Sequence, residues 1–223
     1  MPERTAVIIG ARGGIGAALA DALETGAEYD RVVRLHRGSA PSVDILDEAS
    51  IAAAANSLAD TAPHLVIVAT GLLHTTTKGP EKSLRELDPD WMIQNYRINA
   101  VGPALVAKHF LPIMAKQGPI CFAALSARVG SISDNRLGGW HSYRASKSAL
   151  NMFIRNIAIE WQRKNAQSIV VGLHPGTVET QLSAPFKGNP AHERFTPARA
   201  AADMLSVITG LKPEHSGQIF AYD

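Results

Sequence analysis

Tyr143 and Lys147 stand four residues apart in the run SYRASKSALN, residues 142–151. On a helix that spacing puts both side chains on one face. An ammonium beside a phenol favours the phenolate and draws the tyrosine pKa down from its reference of about 10. A tyrosine tuned in this way can give a proton to a carbonyl oxygen or take one from an alcohol. Taken alone, such a pair is ordinary on the surface of an amphipathic helix, so its meaning depends on its surroundings. A second run with chemical potential is GARGGIG at 10–16. Gly10 permits a tight turn, Gly14 lets backbone approach a pyrophosphate, and Gly16 lets helix and strand pack closely. The helix opening around Ile15 offers its first N–H groups to phosphate.

These residues need a scaffold, and the pattern of the chain predicts one. Strand-like apolar runs occur at 5–9, 31–35, a short one near Val43, 65–69, 120–125, 169–173 and 218–222. Several are apolar on both faces, as in parallel strands covered by helices on each side. Between them Ile15, Ala18, Leu19, Ala22 and Leu23 repeat at helical spacing. A long helix is expected over 91–116, bent near Gly102 and Pro103, and another over 143–161 with Leu150, Phe153, Ile154, Ile157 and Trp161 on one stripe. Alternation of strand and helix throughout predicts an α/β chain: a single Rossmann-fold domain over 1–223, with a doubly wound, seven-stranded parallel sheet and helices on both faces. Two longer polar stretches, 74–89 and 183–197, follow strands and belong at the carboxyl edge of the sheet, where ligands bind in this architecture.

Composition narrows the function classes. Of 223 residues, 46% are hydrophobic and 19% charged, enough for one large core and too apolar for a disordered chain. A net charge of +2 with scattered basic residues argues against nucleic-acid or anionic-membrane partners. The lone cysteine, Cys121, lies in an apolar run and reads as core. No signal-like segment, no apolar stretch of the roughly 20 residues that spans a bilayer, and no metal site is apparent. A soluble cytoplasmic protein is the expectation.

In this order the motifs resemble the short-chain dehydrogenase/reductase family over essentially the whole chain. The glycine spacing is that family's Gly-x-x-x-Gly-x-Gly, and Tyr143 and Lys147 follow the fifth predicted strand. Asp44 resembles the family's adenine-contacting aspartate at the end of strand three. Asn99, in YRINAVGP, resembles the mid-helix asparagine that holds a water in a proton path to the lysine. Pro175, Gly176, Val178 and Thr180, in HPGTVET, match the Pro-Gly-x-Val-x-Thr run that contacts the nicotinamide amide and phosphates. GWHSYRASKSALN and LSARVGSISDN look most like the C-factor-like or sniffer-like carbonyl reductase subgroup.

The resemblance implies hydride transfer between nicotinamide and a small carbonyl or alcohol substrate. Tyr143 would be general acid/base, Lys147 would tune it and hold the ribose, and Asn99 would anchor the proton relay. It also implies a homodimer or homotetramer built on the helices bearing Asn99 and Tyr143. The alternative is a dinucleotide-binding signalling or regulatory protein of C-factor type with little or no catalysis. That would go with a kept glycine turn and a damaged Tyr/Lys pair, whereas both are intact.

The chain departs from the family pattern in several places. Ile9 replaces the usual threonine. Val68, Ala69, Thr70 and Gly71 stand for Asn-Asn-Ala-Gly, leaving Ala69 and Gly71 to line the cofactor. The six residues between Arg37 and Asp44 leave no room for the usual crossover helix, so that flank is trimmed. Ser126 and Ala127 occupy the place of two serines, of which the second orients the substrate carbonyl. Ser126 is the favoured substitute and Ser131 the other candidate. Leu72, Leu73, Trp140, His141 and the 183–197 stretch are expected to line a partly apolar substrate pocket.

Strand two ends Arg34-Leu35-His36-Arg37, without the acid that binds ribose hydroxyls in NAD-specific enzymes. Arg37 and Arg12 would instead face a 2′-phosphate, so NADP(H) is preferred over NAD(H). NADPH should bind at least about tenfold more tightly than NADH, a gap of about 1.4 kcal/mol. Arg37→Asp should weaken NADPH selectively. Equal dissociation constants in a fluorescence titration would contradict the assignment.

Overall fold

A computed structural model describes residues 3–186 and 194–222. Six parallel strands, β1 (Thr5–Ile9), β2 (Arg31–Leu35), β3 (Leu65–Val68), β4 (Ile120–Leu125), β5 (Ser168–His174) and β6 (Ile219–Ala221), form one sheet in the order β2-β1-β3-β4-β5-β6. Six α-helices cover it: α1 (Gly14–Thr25), α2 (Glu48–Ser57), α3 (Pro89–Tyr96), α4 (Gly102–Phe110), α5 (His141–Gln162) and α6 (Pro197–Gly210). Side-chain alternation along each strand splits the core in two. Val7, Ile9, Phe122 and Val170 meet α2, α4 and α5 on one face, while Ala6, Ile8, Ala123 and Val171 meet α1 and α6 on the other. Cys121 is buried on the second face, and burial pushes its thiol up to about 12. No helix among the described residues is long and apolar enough to cross a membrane.

The expected seventh strand near Val43 is absent among the described residues, and β2 is the sheet edge. Side chains take the backbone groups that a further ladder would need. The His36 N–H donates to Ser39 Oγ at 2.9 Å, and Ser42 Oγ donates to the Arg37 carbonyl at 2.9 Å. Val43 N–H returns to the His36 carbonyl at 3.0 Å, and the Val43 side chain plugs the α2-side core. Asp44 therefore lies on no strand, and its carboxylate accepts the Leu46 N–H at 2.9 Å.

The long helix expected over 91–116 forms as α3, a π-helical turn at Arg97–Val101, α4 and a short 3-10 turn at Leu111–Ile113. The irregularity precedes Gly102 and Pro103 rather than falling on them. Pro103 has no N–H for the Asn99 carbonyl, and the Gly102 N–H bonds the Arg97 carbonyl five residues back. The sheet order places its switch between β1 and β3, since the chain leaves β1 for β2 on one side and returns to β3 on the other. Their diverging carboxyl ends open a crevice there.

The glycine turn sits in that crevice. Gly10 has φ +86°, and a Cβ on Gly16 would lie 2.3 Å from the Gly10 carbonyl oxygen. Gly16→Ala should destabilise the protein by about 1–3 kcal/mol, the scale of a core clash that backbone must relieve. A urea titration yielding a wild-type midpoint would show that the turn has more slack than this contact allows.

Candidate active site

Strand ends β1, β3, β4 and β5 deliver their loops to one edge. After β1, the N–H groups of Gly10 and Ala11 donate to the Leu35 carbonyl at 2.8 and 3.2 Å, and Gly13 N–H donates to the Gly10 carbonyl at 2.9 Å. This closes the turn and starts α1 at Gly13, with no side-chain cap and no acid in the first turn. The N-terminus of α1 is thus open to an anion. Ala69, just past β3, donates its N–H to the Ile9 carbonyl at 2.8 Å, which brings it and Thr70 against Gly10. From beyond β5, Thr180 reaches Gly14, where an added Cβ would lie 2.9 Å from its methyl. Between them, Gly176 holds φ +75° against Phe195 and Tyr222, and Val178 is buried and bridged to Phe195. A cavity of ≈ 440 Å³ opens beside Thr180, Gln181 and Arg194. Arg12 and Arg37 are both exposed on the β1–β2 side. Arg34 is tied down by Asp21 and Glu24 of α1, each at 2.6 Å.

Tyr143 and Lys147 face the same edge from the first turns of α5, 8% and 3% exposed. Lys147 Nζ donates to the Leu125 carbonyl at 2.7 Å, where β4 ends, and lies 5.8 Å from the centre of the Tyr143 ring. A Cβ on Gly71 would lie 3.9 Å from Nζ and 3.6 Å from Asn99 Oδ1, in ordinary contact, which places Gly71 beside both. The expectation of a lowered tyrosine pKa is not met. Burial pushes the Tyr143 phenol up to about 12 and the Lys147 ammonium down to about 8. Both groups leave water, and the lysine charge is spent on a carbonyl rather than on the phenol oxygen.

Asn99 is fully buried in the π turn. Its Oδ1 accepts the Leu72 N–H at 2.7 Å, and its Nδ2 donates to the Leu72 carbonyl at 2.8 Å and to Ser146 Oγ at 3.0 Å. Ser146 Oγ donates in turn to the Tyr143 carbonyl at 2.8 Å. The side chain is thus a brace between the β3 loop and α5. It also binds the loop whose own asparagines are missing from 68–69.

Ser126 faces away from the place expected for a carbonyl-orienting hydroxyl. Strand alternation turns it toward α5, where Oγ donates to Asn151 Oδ1 at 2.6 Å. Asn151 is about two helical turns beyond Tyr143. Ala127 and Ser131 line a different cavity, of ≈ 350 Å³, with Asn151, His174 and the β6 edge. Over Tyr143 sits an aromatic chain. The Trp140 ring lies 6.2 Å from Tyr143 and 5.1 Å from Phe186, and Phe186 lies 5.6 Å from His74. Leu73 is buried and Leu72 and His141 are half-buried. Of the 183–197 stretch, residues 187–193 lie outside the described residues.

Phe186 belongs to the 183–197 stretch expected to line the pocket, whereas sequence reasoning missed Ser146 and Glu81. Glu81 is buried at the start of α5, accepting from the Ser142 N–H at 3.1 Å and from the Ser142 hydroxyl. No local signal marks it, since the helix expected over 143–161 has Ser142 in the place of an ordinary N-cap.

The family model described as Enoyl-(Acyl carrier protein) reductase matches residues 10–210. The chain belongs to the short-chain dehydrogenase/reductase family, and it is an oxidoreductase of that family. It is 33% identical over 180 residues to the 1-hydroxy-2-glutathionyl-2-methyl-3-butene dehydrogenase of Rhodococcus sp. (strain AD45), covering 80% of this chain and 74% of that one. It is 35% identical over 140 residues to the C-signal of Myxococcus xanthus, covering 63% and 80%. Among solved structures it resembles NADPH-bound carbonyl reductase from chicken fatty liver, with TM-score 0.85, 24% identity and coverage of 100% and 97%. It also resembles a short-chain dehydrogenase/reductase from Burkholderia multivorans with bound NADP, with TM-score 0.81, 25% identity and coverage of 99% and 97%.

The buried lysine makes a pH-dependent contribution to stability. Its folded pKa of about 8 lies below the ordinary 10.5, so between those values the unfolded chain holds the extra proton. Stability therefore rises with pH across that window as the buried charge is relieved. Lys147→Met should lack this rise. Urea melts of the two proteins at pH 7.5 and 9.5 (about one unit inside the upper limit) should show wild type gaining on the variant. A constant difference would contradict a charged, desolvated Lys147.

Proposed function

We propose that this chain is an NADP(H)-dependent oxidoreductase that moves a hydride between nicotinamide and a carbonyl or alcohol substrate, with Tyr143 as general acid/base. The observation that carries the reading is the burial of Tyr143 beside Lys147 at the edge where the glycine turn, Gly71 and Thr180 converge.

The residues present suit a dinucleotide. Gly10 takes the positive φ that bends the turn, the N-terminus of α1 has no cap of its own, and two exposed arginines flank it. Gly10, Gly14, Ile15 and Gly16 would hold the pyrophosphate, and Arg12 and Arg37 a 2′-phosphate. Asp44, half-buried behind them, would face the adenine. Ala69, Gly71, Lys147 and the segment Pro175, Gly176, Val178 and Thr180 would hold the nicotinamide half. Neighbouring solved structures contain NADPH or NADP, which supports the phosphorylated cofactor. When bound, the cofactor supplies the hydride.

The chain's own residues supply the proton. The buried Tyr143 phenol carries its proton at neutral pH, and that is the proton to be given to a carbonyl oxygen. Lys147 holds the edge of β4, and its ammonium, 5.8 Å from the centre of the ring, would favour the phenolate only as a neighbouring charge and not as a bonded one. Asn99 fixes the helix turn from which both act. With Ser126 committed to Asn151, Tyr143 is the principal group polarising the carbonyl, and Ser126→Ala should cost stability more than turnover. Trp140, Phe186 and Leu73 give the pocket an apolar wall, which suits a partly apolar carbonyl compound. Exposed Met92, Ile93 and Tyr96 on α3, with Met152 and Ile159 on α5, support self-association through those helices.

The likeness to C-signal favours a second reading, in which dinucleotide binding serves signalling without turnover. Tyr143→Phe separates the two. It keeps the ring and its packing and deletes the hydroxyl. NADPH binding should persist, while reduction of carbonyl compounds in a substrate panel should fall by roughly 10²-fold or more. A variant as fast as wild type would remove Tyr143 from the acid role. A wild type that binds NADPH and reduces nothing in the panel would favour signalling.

A further inference from the structure

The helix that carries Tyr143 does not cap itself. Its N-cap residue is Trp140, whose side chain makes no capping bond and whose backbone sits in the left-handed region at φ 51°, ψ 41°. A bulky residue with that backbone is an outlier, and it persists only where its surroundings over-determine it. Besides the ring contacts with Tyr143 and Phe186, one residue from another loop holds the backbone here. The Glu81 carbonyl accepts the Trp140 N–H at 2.5 Å, and the Glu81 carboxyl group accepts the Ser142 N–H at 3.1 Å together with the Ser142 hydroxyl. Glu81 thus grips the chain on both sides of the strained residue and ends its grip one position before Tyr143.

Its placement is costly. The side chain is 2% exposed, and a buried carboxyl group is retained only when its oxygens are bonded. Helix capping alone asks for nothing so elaborate, since a serine or aspartate at the N-cap would do it locally. The left-handed backbone that Glu81 enforces has another effect. It directs the Trp140 ring between Tyr143 and Phe186, in the wall above the phenol. The loop that bears Glu81 is itself braced. Asn99 holds it at Leu72, and Lys78 pairs with Asp88 at 2.5 Å near its far end.

We infer that Glu81 is a positioning residue. As a cap supplied from the 74–89 loop, it sets the first turn of α5, and with it the direction of the Tyr143 hydroxyl and the Trp140 ring. The inference rests on the reading of Tyr143 as the acid. It assigns Glu81 no contact with substrate or cofactor.

Glu81→Gln and Ser142→Ala test it, with amide hydrogen exchange and steady-state kinetics read on the same folded proteins. Glu81→Gln keeps an acceptor for the Ser142 N–H and loses the second carboxylate oxygen. Exchange across 141–144 should quicken at least about tenfold while 150–160 keeps its protection. The kcat for carbonyl reduction should fall about tenfold or more while the NADPH dissociation constant stays within about twofold, since the defect lies in orientation and not in cofactor binding. Ser142→Ala removes one of the two side-chain links and should fall between the variant and wild type on both readouts. Wild-type kcat or wild-type exchange in folded Glu81→Gln overturns the proposal. So does a kcat loss that vanishes at a temperature where the variant is fully folded, because the cap would then serve stability alone. Exchange requires no turnover, so it reports on Glu81 even if Tyr143→Phe remains fully active and the acid reading falls.

Discussion

A lysine ammonium held out of water is the constraint around which the rest of the site is arranged. Lys147 is 3% exposed, and burying such a charge costs several kcal/mol unless it is bonded. The carbonyl that receives it, Leu125, is available because β4 ends there and its last carbonyl has no further ladder partner to satisfy. Gly71 lies beside both the ammonium and Asn99, close enough that a Cβ there would be in ordinary contact with each. The same burial that strains the lysine keeps the neighbouring phenol protonated, so one desolvated pocket sets the resting state of both groups.

Precision at such a site comes from the polar network beneath it. Leu72, Asn99, Ser146 and the Tyr143 carbonyl are joined in series by hydrogen bonds of 2.7 to 3.0 Å. The links through Ser146 are buried and the one to Leu72 is partly so, and breaking a buried one leaves a polar group unsatisfied in a low-dielectric setting. The π turn around Asn99 belongs to this network. It sits just before Pro103, where the regular helix ladder has lost a donor, and holds Asn99 between the β3 loop and α5. The asparagines missing at 68–69 are thereby offset from the other side of the gap. The loop is held by a residue that reaches toward it, and the strand end itself is left apolar.

What could be read from the chain was what depends on neighbours in sequence. Residues 5–9 and 120–125 are strands with the expected limits because two-faced apolar runs of that length have few other uses, and 31–35, with its paired valines, forms the edge strand with the expected limits too. The glycine turn was legible because positive φ and close backbone approach are properties of single residues. Helical spacing put Tyr143 and Lys147 on one face, and the motifs around them gave the pair its meaning.

Tertiary structure decided the rest. The strand near Val43 failed because serine hydroxyls folded back onto the backbone groups a ladder requires, a competition that hydrophobic pattern does not register. Ser126 went to Asn151 because the parity of β4, set by its register against β5, turned it toward α5. The tyrosine pKa moved against expectation because desolvation sums over everything packed around a group, whereas spacing names only one neighbour. Glu81 was invisible for the same reason. Nothing in its local sequence ties it to a helix 61 residues further on, and only the folded chain brings its carboxyl group to the N–H that α5 could not satisfy for itself.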